Sequence, residues 1–415
     1  MKIFRLELKR VLKSRLTWIV MALALLLSIL LAYLPTTYCY SNYTDETGNE
    51  VNLTGLASIA YEKERQAGAA GIVTPERVRE AVEIYQTCLT SYGVTESYDL
   101  PEGVYEQEIL PTAPLLHGVK EAFANPDTGM APTIMEIDPA QIDDCYSVCE
   151  AQIVSLMARE QSGSPAAQRK AVEMYQKVEK PSEVYPGMNS TILAYQNIMG
   201  FLVLLFCVVI AAPVFSADYQ SGADDILRCT RHGRAKLGVS KLLAALFISA
   251  AAFVICAVVH ILVVNSLFGW ECTKTSIQML YSIVTLTDMN IGELQRLFAV
   301  AGLLSVLASV SFTLFLSSRC KNTVASLASG LVFCIAPVVL SMTVPGTLST
   351  WLYSILPATG TSIQASILYA ITDFQFLSLG GLTVWTPYAM IGACIIEIPL
   401  FGFLAVRFYC GHTVN

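Results

Sequence analysis

Residues 242–268 read LLAALFISAAAFVICAVVHILVVNSLF, a run of 27 residues without a single Asp, Glu, Lys or Arg. A helix needs about 20 mostly apolar residues to cross the hydrocarbon layer of a bilayer, so this stretch is long enough to span a membrane. Five further stretches are of the same kind, the last of them with one charged residue: 16–34, 192–215, 297–316, 323–344 and 387–406. The sequence therefore predicts an all-α polytopic membrane protein with six transmembrane helices.

The composition of the whole chain agrees with this class. Hydrophobic residues make up 54% of the 415 residues and charged residues only 14%, whereas soluble domains carry about 25% charged residues. A chain with so few charges cannot cover its own surface in water. The net charge of −7 also argues against a nucleic-acid-binding protein, which needs a basic face.

The distribution of Lys and Arg predicts the orientation in the membrane. Residues 1–15 hold six basic residues and one acidic residue, and the loops after the second and fourth spans are also basic. Residues 35–191 hold ten basic and 24 acidic residues. Since Lys and Arg are retained on the cytoplasmic side, we expect both termini (1–15 and 407–415) in the cytoplasm and residues 35–191 outside the cell membrane.

A cleaved signal peptide is the weaker reading of the N-terminus. The apolar run of 16–34 is 19 residues long, more than the 7–15 of a signal peptide, and no small-residue cleavage site follows it.

Residues 35–191, which we call the outer domain, are predicted to be mainly helical. Thr74-Pro75, Asp138-Pro139 and Ser164-Pro165 each place a capping residue before a proline that can open a helix. We expect helices near 75–91, 139–161 and 165–179, and a less regular one over 55–67.

Two of these predicted helices share sequence. Residues 75–86 and 165–176 are identical at seven positions. An internal duplication would explain the match, but nothing beyond the helix repeats, so convergence of two capped amphipathic helices is the preferred explanation.

The outer domain also holds cysteines that an extracellular location would allow to oxidise. Cys145 and Cys149 are one helical turn apart, which disfavours a bond between them. We therefore expect a disulfide between Cys88 and either Cys145 or Cys149. No CxxC pair or His-rich cluster occurs, so no metal site is expected.

Two segments on the predicted cytoplasmic side are amphipathic. In residues 1–15, apolar side chains share one helical stripe and cations occupy the other side, which predicts a helix lying along the inner leaflet. In the loop 216–241, acidic residues precede Ile226-Leu227 and basic residues follow. That order suits a short helix over about 222–231, and we expect Ile226 and Leu227 to lie on one face that is presented to a partner.

This arrangement resembles the ABC-2-type family of ABC-transporter permeases, in particular exporter-like members with a large outer domain between spans one and two. In that family the loop after span two carries an acidic residue, a glycine four positions on, an aliphatic pair, an arginine, and a lysine that opens span three. Those places are held here by Asp218, Gly222, Ile226, Leu227, Arg234 and Lys241. Asp218 stands where glutamate is commoner in the family.

The resemblance implies a permease subunit of an ATP-driven exporter, without enzymatic activity of its own. It implies that the loop 218–241 contacts a separate ABC ATPase subunit, with Arg231 among the contacting residues. It also implies a second permease copy, identical or different. The chain has no Walker A motif, so ATP would bind the partner subunit and no cofactor is expected in this chain.

Residues 345–386, between spans five and six, carry one charge and several of the aromatic residues that favour membrane interfaces. We expect a re-entrant hairpin of helices Thr347–Leu356 and Ser362–Thr372, broken at Pro357 and Gly360, where the permease family has such a gate. Two further spans are the alternative, but neither piece reaches 17 residues.

Two ionisable residues lie within the predicted spans, Glu397 near the middle of span six and His260 in span three. Such residues face protein or water, so both are candidates to line a transport pathway, and packing between helices is an equally good explanation. A membrane anchor or sensor with a ligand-binding outer domain and no transport remains the alternative function. A secondary transporter is disfavoured because the spans hold few ionisable residues and show no inverted repeat.

Overall fold

The computed structural model describes residues 2–44, 49–125, 127–230, 233–344, 346–379 and 382–411. Six of the described helices are long and apolar enough to cross a membrane, which confirms the predicted six-span, mainly helical membrane protein. They are called spans one to six: Arg15–Tyr33, Ser190–Ala211 with its continuation Pro213–Ser221, Ala235–Phe268, Ile291–Arg319, Thr323–Thr343 and Thr386–Gly411.

Several spans extend beyond the predicted apolar stretches. Span three begins at Ala235 rather than Leu242, and span four runs over Ile291–Arg319 rather than 297–316. The start of span four is fixed by a capping box, in which the Asn290 side chain accepts from the Glu293 amide at 2.9 Å and the Glu293 carboxylate accepts from the Asn290 amide at 3.1 Å. Hydropathy detects only the part of a helix inside hydrocarbon, so it misses polar turns such as this one.

Spans two and four form the centre of the bundle. In the most apolar window of each, 67% of the residues are buried, compared with 22% for span five and 28% for span six. Span four packs along span six, and span three packs against spans one, two and four. The exposed apolar faces of spans one, five and six are therefore the surfaces that remain for lipid or for other chains.

A separate N-terminal helix, Lys2–Leu12, precedes span one and packs against span three. The edge-to-face contact of Phe4 with Phe247, at a centroid distance of 6.5 Å, is part of this packing. The end of the bundle that carries this helix is called the inner end, and the opposite end the outer end.

The outer domain is built of helices joined by short strands and turns. Its α-helices are Leu56–Arg65, Pro75–Tyr92, Ala113–Leu116, Cys145–Glu160 and Pro165–Tyr175. Its antiparallel strand pairs are Tyr40–Thr44 with Glu50–Thr54, where Asn42 faces Asn52, and Gly71–Ile72 with Glu183–Val184. Its 3₁₀-helical segments are Leu34–Tyr38, Ala67–Ala69, Ser97–Asp99, Val119–Phe123, Ile134–Glu136 and Pro139–Asp144. Tyr105–Ile109 is a π-helical turn.

Helices begin at Pro75 and Pro165 as expected, although the Thr74 side chain makes no capping hydrogen bond. Helix Pro75–Tyr92 ends at Gly93, whose φ of +67° is the left-handed conformation that glycine adopts without strain. The Ser164 hydroxyl accepts from the Ala167 amide at 3.3 Å and caps helix Pro165–Tyr175. The stretch predicted as one helix over 139–161 is divided, because its first six residues form a 3₁₀ turn before the α-helix begins at Cys145.

The structure does not form the expected disulfide. All twelve cysteines lie within the described residues, and all are free. Cys88, Cys145 and Cys149 belong to three different hydrophobic clusters, so the fold does not pair Cys88 with either of the other two.

The remaining outer segments join the spans. Between spans three and four lie Glu271–Lys274 and Ile277–Leu280, and between spans five and six lie helices Thr347–Ser354 and Ile367–Thr372 with the 3₁₀ turn Thr359–Thr361. The two helices are shorter than predicted. A hairpin of strands Phe376–Leu379 and Leu382–Trp385, which was not expected from the sequence, leads into span six.

The outer domain and these segments share one hydrophobic core, which also includes side chains of spans two and four. Polar contacts join the same parts. The Tyr175 hydroxyl donates to the Ile283 carbonyl at 3.2 Å, and the Gln161 amide donates to the Phe374 carbonyl at 3.1 Å.

Candidate functional site

The loop between spans two and three, which is predicted to contact an ATPase, begins with a tight turn and a short helix. Span two ends at Ser221, and Gly222 follows in the left-handed conformation with φ of +69°. Its amide donates to the Tyr219 carbonyl at 3.2 Å, which is how glycine terminates a helix. A six-residue helix, Ala223–Arg228, comes next and is called the loop helix. Arg231, one of the predicted contact residues, lies outside the described residues.

Two of the predicted residues form a buried ion pair at the base of this loop. Lys241 Nζ lies 2.7 Å from Asp218 Oδ2 and also donates to the Val214 carbonyl at 3.3 Å. The two residues are 1% and 2% exposed. Asp218 is near the end of span two and Lys241 is in span three, so the pair holds the inner ends of two spans together.

The N-terminal helix contributes the other half of this cluster. The Arg10 guanidinium donates to both carboxylate oxygens of Asp218, and Glu7 lies 3.6 Å from Arg10 and 3.5 Å from Lys241. Burial disfavours the charged guanidinium, but Asp218 and Glu7 outweigh that effect and raise the pKa of Arg10 above its usual value. Two cations and two carboxylates make a neutral group, called the charge cluster, which explains how these charges can be buried.

A second set of contacts ties the loop helix to span six. The Arg228 side chain lies 3.3 Å from the Asp224 carboxylate, donates to the Tyr409 carbonyl and lies over the Tyr409 ring at 4.8 Å. The Tyr409 hydroxyl donates to the Gly233 carbonyl at 3.1 Å. The loop helix is therefore attached to span six, a contact that no sequence pattern predicts.

Only one of the two predicted aliphatic contact residues is on the surface. Ile226 is 75% exposed, whereas Leu227 is partly buried and packs against the cluster formed by the spans. The expectation that both lie on one face was wrong, because successive residues of an α-helix point about 100° apart. Arg234 is exposed. The loop thus presents Ile226 and polar residues on a base that the spans hold in place.

The two candidate pathway residues are not brought together. His260 is 1% exposed, and its Nδ1 lies 3.0 Å from the Ser28 carbonyl of span one. This places His260 between packed helices. Glu397 is partly buried, and its Oε2 has no hydrogen-bond partner in the described part of the chain.

Sequence reasoning missed a layer of buried amides near the outer end of the bundle. Gln295 of span four exchanges hydrogen bonds with Asn265 of span three at 3.0 and 3.2 Å. The side-chain amide of Gln196 in span two donates to the backbone carbonyl of Gln295 at 2.9 Å. Asn265 and Gln196, two uncharged amides inside long apolar stretches, were the available signal, because a polar side chain inside hydrocarbon needs a partner.

The same region holds the segment between spans five and six. The Ser305 hydroxyl of span four donates to the Pro357 carbonyl and accepts from the Gly360 amide, both at 2.9 Å. Asn197 of span two donates to the Ser362 carbonyl at 3.1 Å. A side chain at position 360 would collide, since an added Cβ would lie 2.7 Å from Ser305 Oγ.

These contacts join the inner ends of several helices. The charge cluster and the Arg228–Tyr409 contacts connect the loop helix with the N-terminal helix and spans two, three and six. Among the described residues, no group of three or more His, Cys, Asp or Glu side chains could hold a metal ion.

Comparison with known proteins identifies the type of protein. A family model described as ABC-2 family transporter protein matches residues 1–380. The match includes the N-terminal helix, spans one to five, the outer domain and the loop 216–241. A comparison with curated proteins finds no match.

Proposed function

Because the chain belongs to the ABC-2 transporter family, we propose that it is the membrane-spanning permease subunit of an ATP-driven exporter. Transport would be powered by a separate ABC ATPase that contacts the loop 218–241. ATP would bind that ATPase, and this chain would need no cofactor. By analogy with the family, two permease copies would assemble with two ATPases.

The observation that carries the proposal is the position of Ile226. This aliphatic side chain of the loop helix is 75% exposed, and the helix beneath it is fixed to the bundle by Arg228 and Leu227. An exposed aliphatic side chain on a rigid support is a suitable anchor for a groove on a partner. The charges around it, Asp225, Arg234 and Lys236, are exposed as well.

The contacts below the loop give a route for movement. A force on the loop helix would reach span six through Arg228 and Tyr409. It would reach spans two and three, and the N-terminal helix, through the charge cluster. Since a buried ion pair has few alternative arrangements, these inner ends would move as a unit when the ATPases close.

The proposed topology follows from charge. Both termini and the loop 216–241 would lie in the cytoplasm beside the ATPase, and residues 35–191 would lie outside. Export, rather than import, is proposed because exporter-like members of the family share this large outer domain between spans one and two.

The test is co-purification of an ABC ATPase with the tagged chain from native membranes, with the ATPase quantified by mass spectrometry of peptides that contain its Walker A motif. Ile226→Asp should lower the recovered ATPase at least tenfold, because it puts a charge where an apolar contact is needed. Ile72→Asp is the matched control, since Ile72 is also exposed, at 51%, but lies in the outer domain.

Equal recovery of the ATPase with Ile226→Asp and with Ile72→Asp would contradict the role of the loop. Recovery of no Walker A protein with the unmodified chain would contradict the proposed function itself.

A further inference from the structure

A crevice at the inner end of the bundle has no assigned role. It lies between the N-terminal helix, the start of span one and the end of span two, and has a cavity volume of about 180 Å³. That volume is smaller than the roughly 300–1,000 Å³ of sites that take up a whole small molecule, so the crevice is suited to part of an acyl chain. Seven of the eleven residues that line it are apolar, among them Val11, Leu16, Val209 and Ala217.

The surroundings of the crevice limit what can fill it. Its walls are two membrane spans and a helix with the composition of an interfacial helix. Leu16 on its rim is 53% exposed, and the neighbouring side chains of Trp18 and Ile19 are 57% and 64% exposed. Water would find few hydrogen-bond partners on these walls. A hydrocarbon chain from the surrounding bilayer fits them.

The polar end of the crevice is rich in positive charge. Arg10 lines it, with 44% of its side chain exposed despite its contact with Asp218. Ser14, which also lines it, stands between the exposed cations Lys13 and Arg15. Glu7 is the acidic residue there, and only 13% of its side chain is exposed. The accessible charge at this end is therefore positive and would attract an anionic headgroup.

We propose that this crevice binds an anionic phospholipid from the adjacent leaflet, with one acyl chain between spans one and two and the headgroup beside Lys13, Ser14 and Arg15. The bound lipid packs under the N-terminal helix that supplies Arg10 and Glu7 to the charge cluster. The site requires neither an ATPase nor transport, so its test is independent of the proposed function.

The experiment is native mass spectrometry of the full-length chain, purified in detergent and titrated with phosphatidylglycerol or phosphatidylcholine. We expect one phosphatidylglycerol per chain to remain bound at a collision energy that removes all phosphatidylcholine. Ala217→Phe fills the crevice and should reduce the retained phosphatidylglycerol at least fivefold. Ala22→Phe makes the same change at an exposed position of span one outside the crevice and should leave retention unchanged.

A second variant tests the headgroup end without filling the crevice. The Ser14 side chain makes no capping hydrogen bond, so Ser14→Glu should not disturb the fold. The added carboxylate should reduce retention of phosphatidylglycerol at least fivefold, and Ser14→Gln, which is neutral and of the same size as glutamate, should not.

Three results would overturn the proposal. Equal retention of phosphatidylglycerol by Ala217→Phe and Ala22→Phe would exclude the crevice as the site of the acyl chain. Equal retention of the two lipids by the unmodified chain would exclude an anionic headgroup. Equal loss with Ser14→Glu and Ser14→Gln would exclude the cations at Lys13 and Arg15 as its contacts.

Discussion

The Lys241 ammonium and the Asp218 carboxylate lie 2.7 Å apart and connect the inner ends of spans three and two. Neither side chain has appreciable contact with solvent. Breaking a buried ion pair by removing one partner leaves a buried charge without compensation, which costs more than the pair itself contributes. The pair is therefore expected to specify one arrangement of the spans.

Lys241→Met should destabilise the protein by about 3–5 kcal/mol, because it leaves the two carboxylates of the charge cluster, Asp218 and Glu7, with Arg10 as their one cation. Reversible unfolding in mixed micelles measures this free energy. Lys236→Met is the matched control, because Lys236 is an exposed lysine of the same helix, and it should change the free energy of unfolding by less than about 0.5 kcal/mol. Similar losses for both variants would contradict the importance of the pair.

Gly233→Ala should displace the loop helix. An added Cβ at Gly233 would lie 1.6 Å from the Leu227 carbonyl oxygen, so the backbone must move. We expect recovery of the ATPase to fall about as far as with Ile226→Asp while the chain still reaches the membrane. Gly68→Ala, where the added Cβ meets nothing within 4 Å, serves as the control, and equal recovery with the two alanine variants would refute the prediction.

Ser305→Ala should loosen the segment between spans five and six. The substitution removes the acceptor of the Gly360 amide and the donor to the Pro357 carbonyl, at a cost of about 1–3 kcal/mol for buried groups left unsatisfied. Hydrogen exchange at the Gly360 amide should become faster by tenfold or more. Ser311→Ala is the control, since Ser311 is buried in the same span and its hydroxyl has no partner among the described residues. Unchanged exchange at Gly360 would show that Ser305 does not hold this segment.

Cys145 and Cys149 should resist a maleimide at pH 7.5 in the folded protein. Burial disfavours the thiolate and raises the pKa of Cys145 to about 11 and that of Cys149 to about 12, so both stay protonated far below those values. Cys229, which is exposed, should react readily and serves as the internal control. Mass spectrometry of labelled peptides makes the measurement.

After denaturation without a reductant, Cys88, Cys145 and Cys149 should all become labelled, because the structure leaves them free. Failure of Cys88 and one of the other two to react until a reductant is added would instead support the pairing expected from the sequence.

The spans could be predicted because hydrocarbon imposes a requirement that is local in sequence. Any stretch that crosses it must be long and apolar, as residues 242–268 are. The polar turns that extend the helices, such as residues 235–241, follow no such local rule, and their helical state depends on contacts such as that of Lys241 with Asp218.

The charge cluster was only half predictable. The family pattern singled out Asp218 and Lys241, but Arg10 meets Asp218 across 208 residues of sequence, and Arg228 meets Tyr409 across 181. No local pattern encodes such contacts, because they depend on how the helices pack. The strand pair before span six did leave a signal that was missed, since Gly380-Gly381 between two apolar runs is typical of a tight hairpin turn.

The common core of the outer domain and the neighbouring segments means that residues 35–191 are not a detachable module. Cutting them out would remove part of the core to which Ile283, Phe298 and Trp385 belong, and expressing them alone would leave Leu156 and Tyr175 exposed to water. A fragment made for antibody production or crystallisation would therefore need the loops 269–290 and 367–385 grafted onto it to stay in solution. Conversely, an antibody fragment bound to helix Pro165–Tyr175 would act directly on the chain that leads into span six.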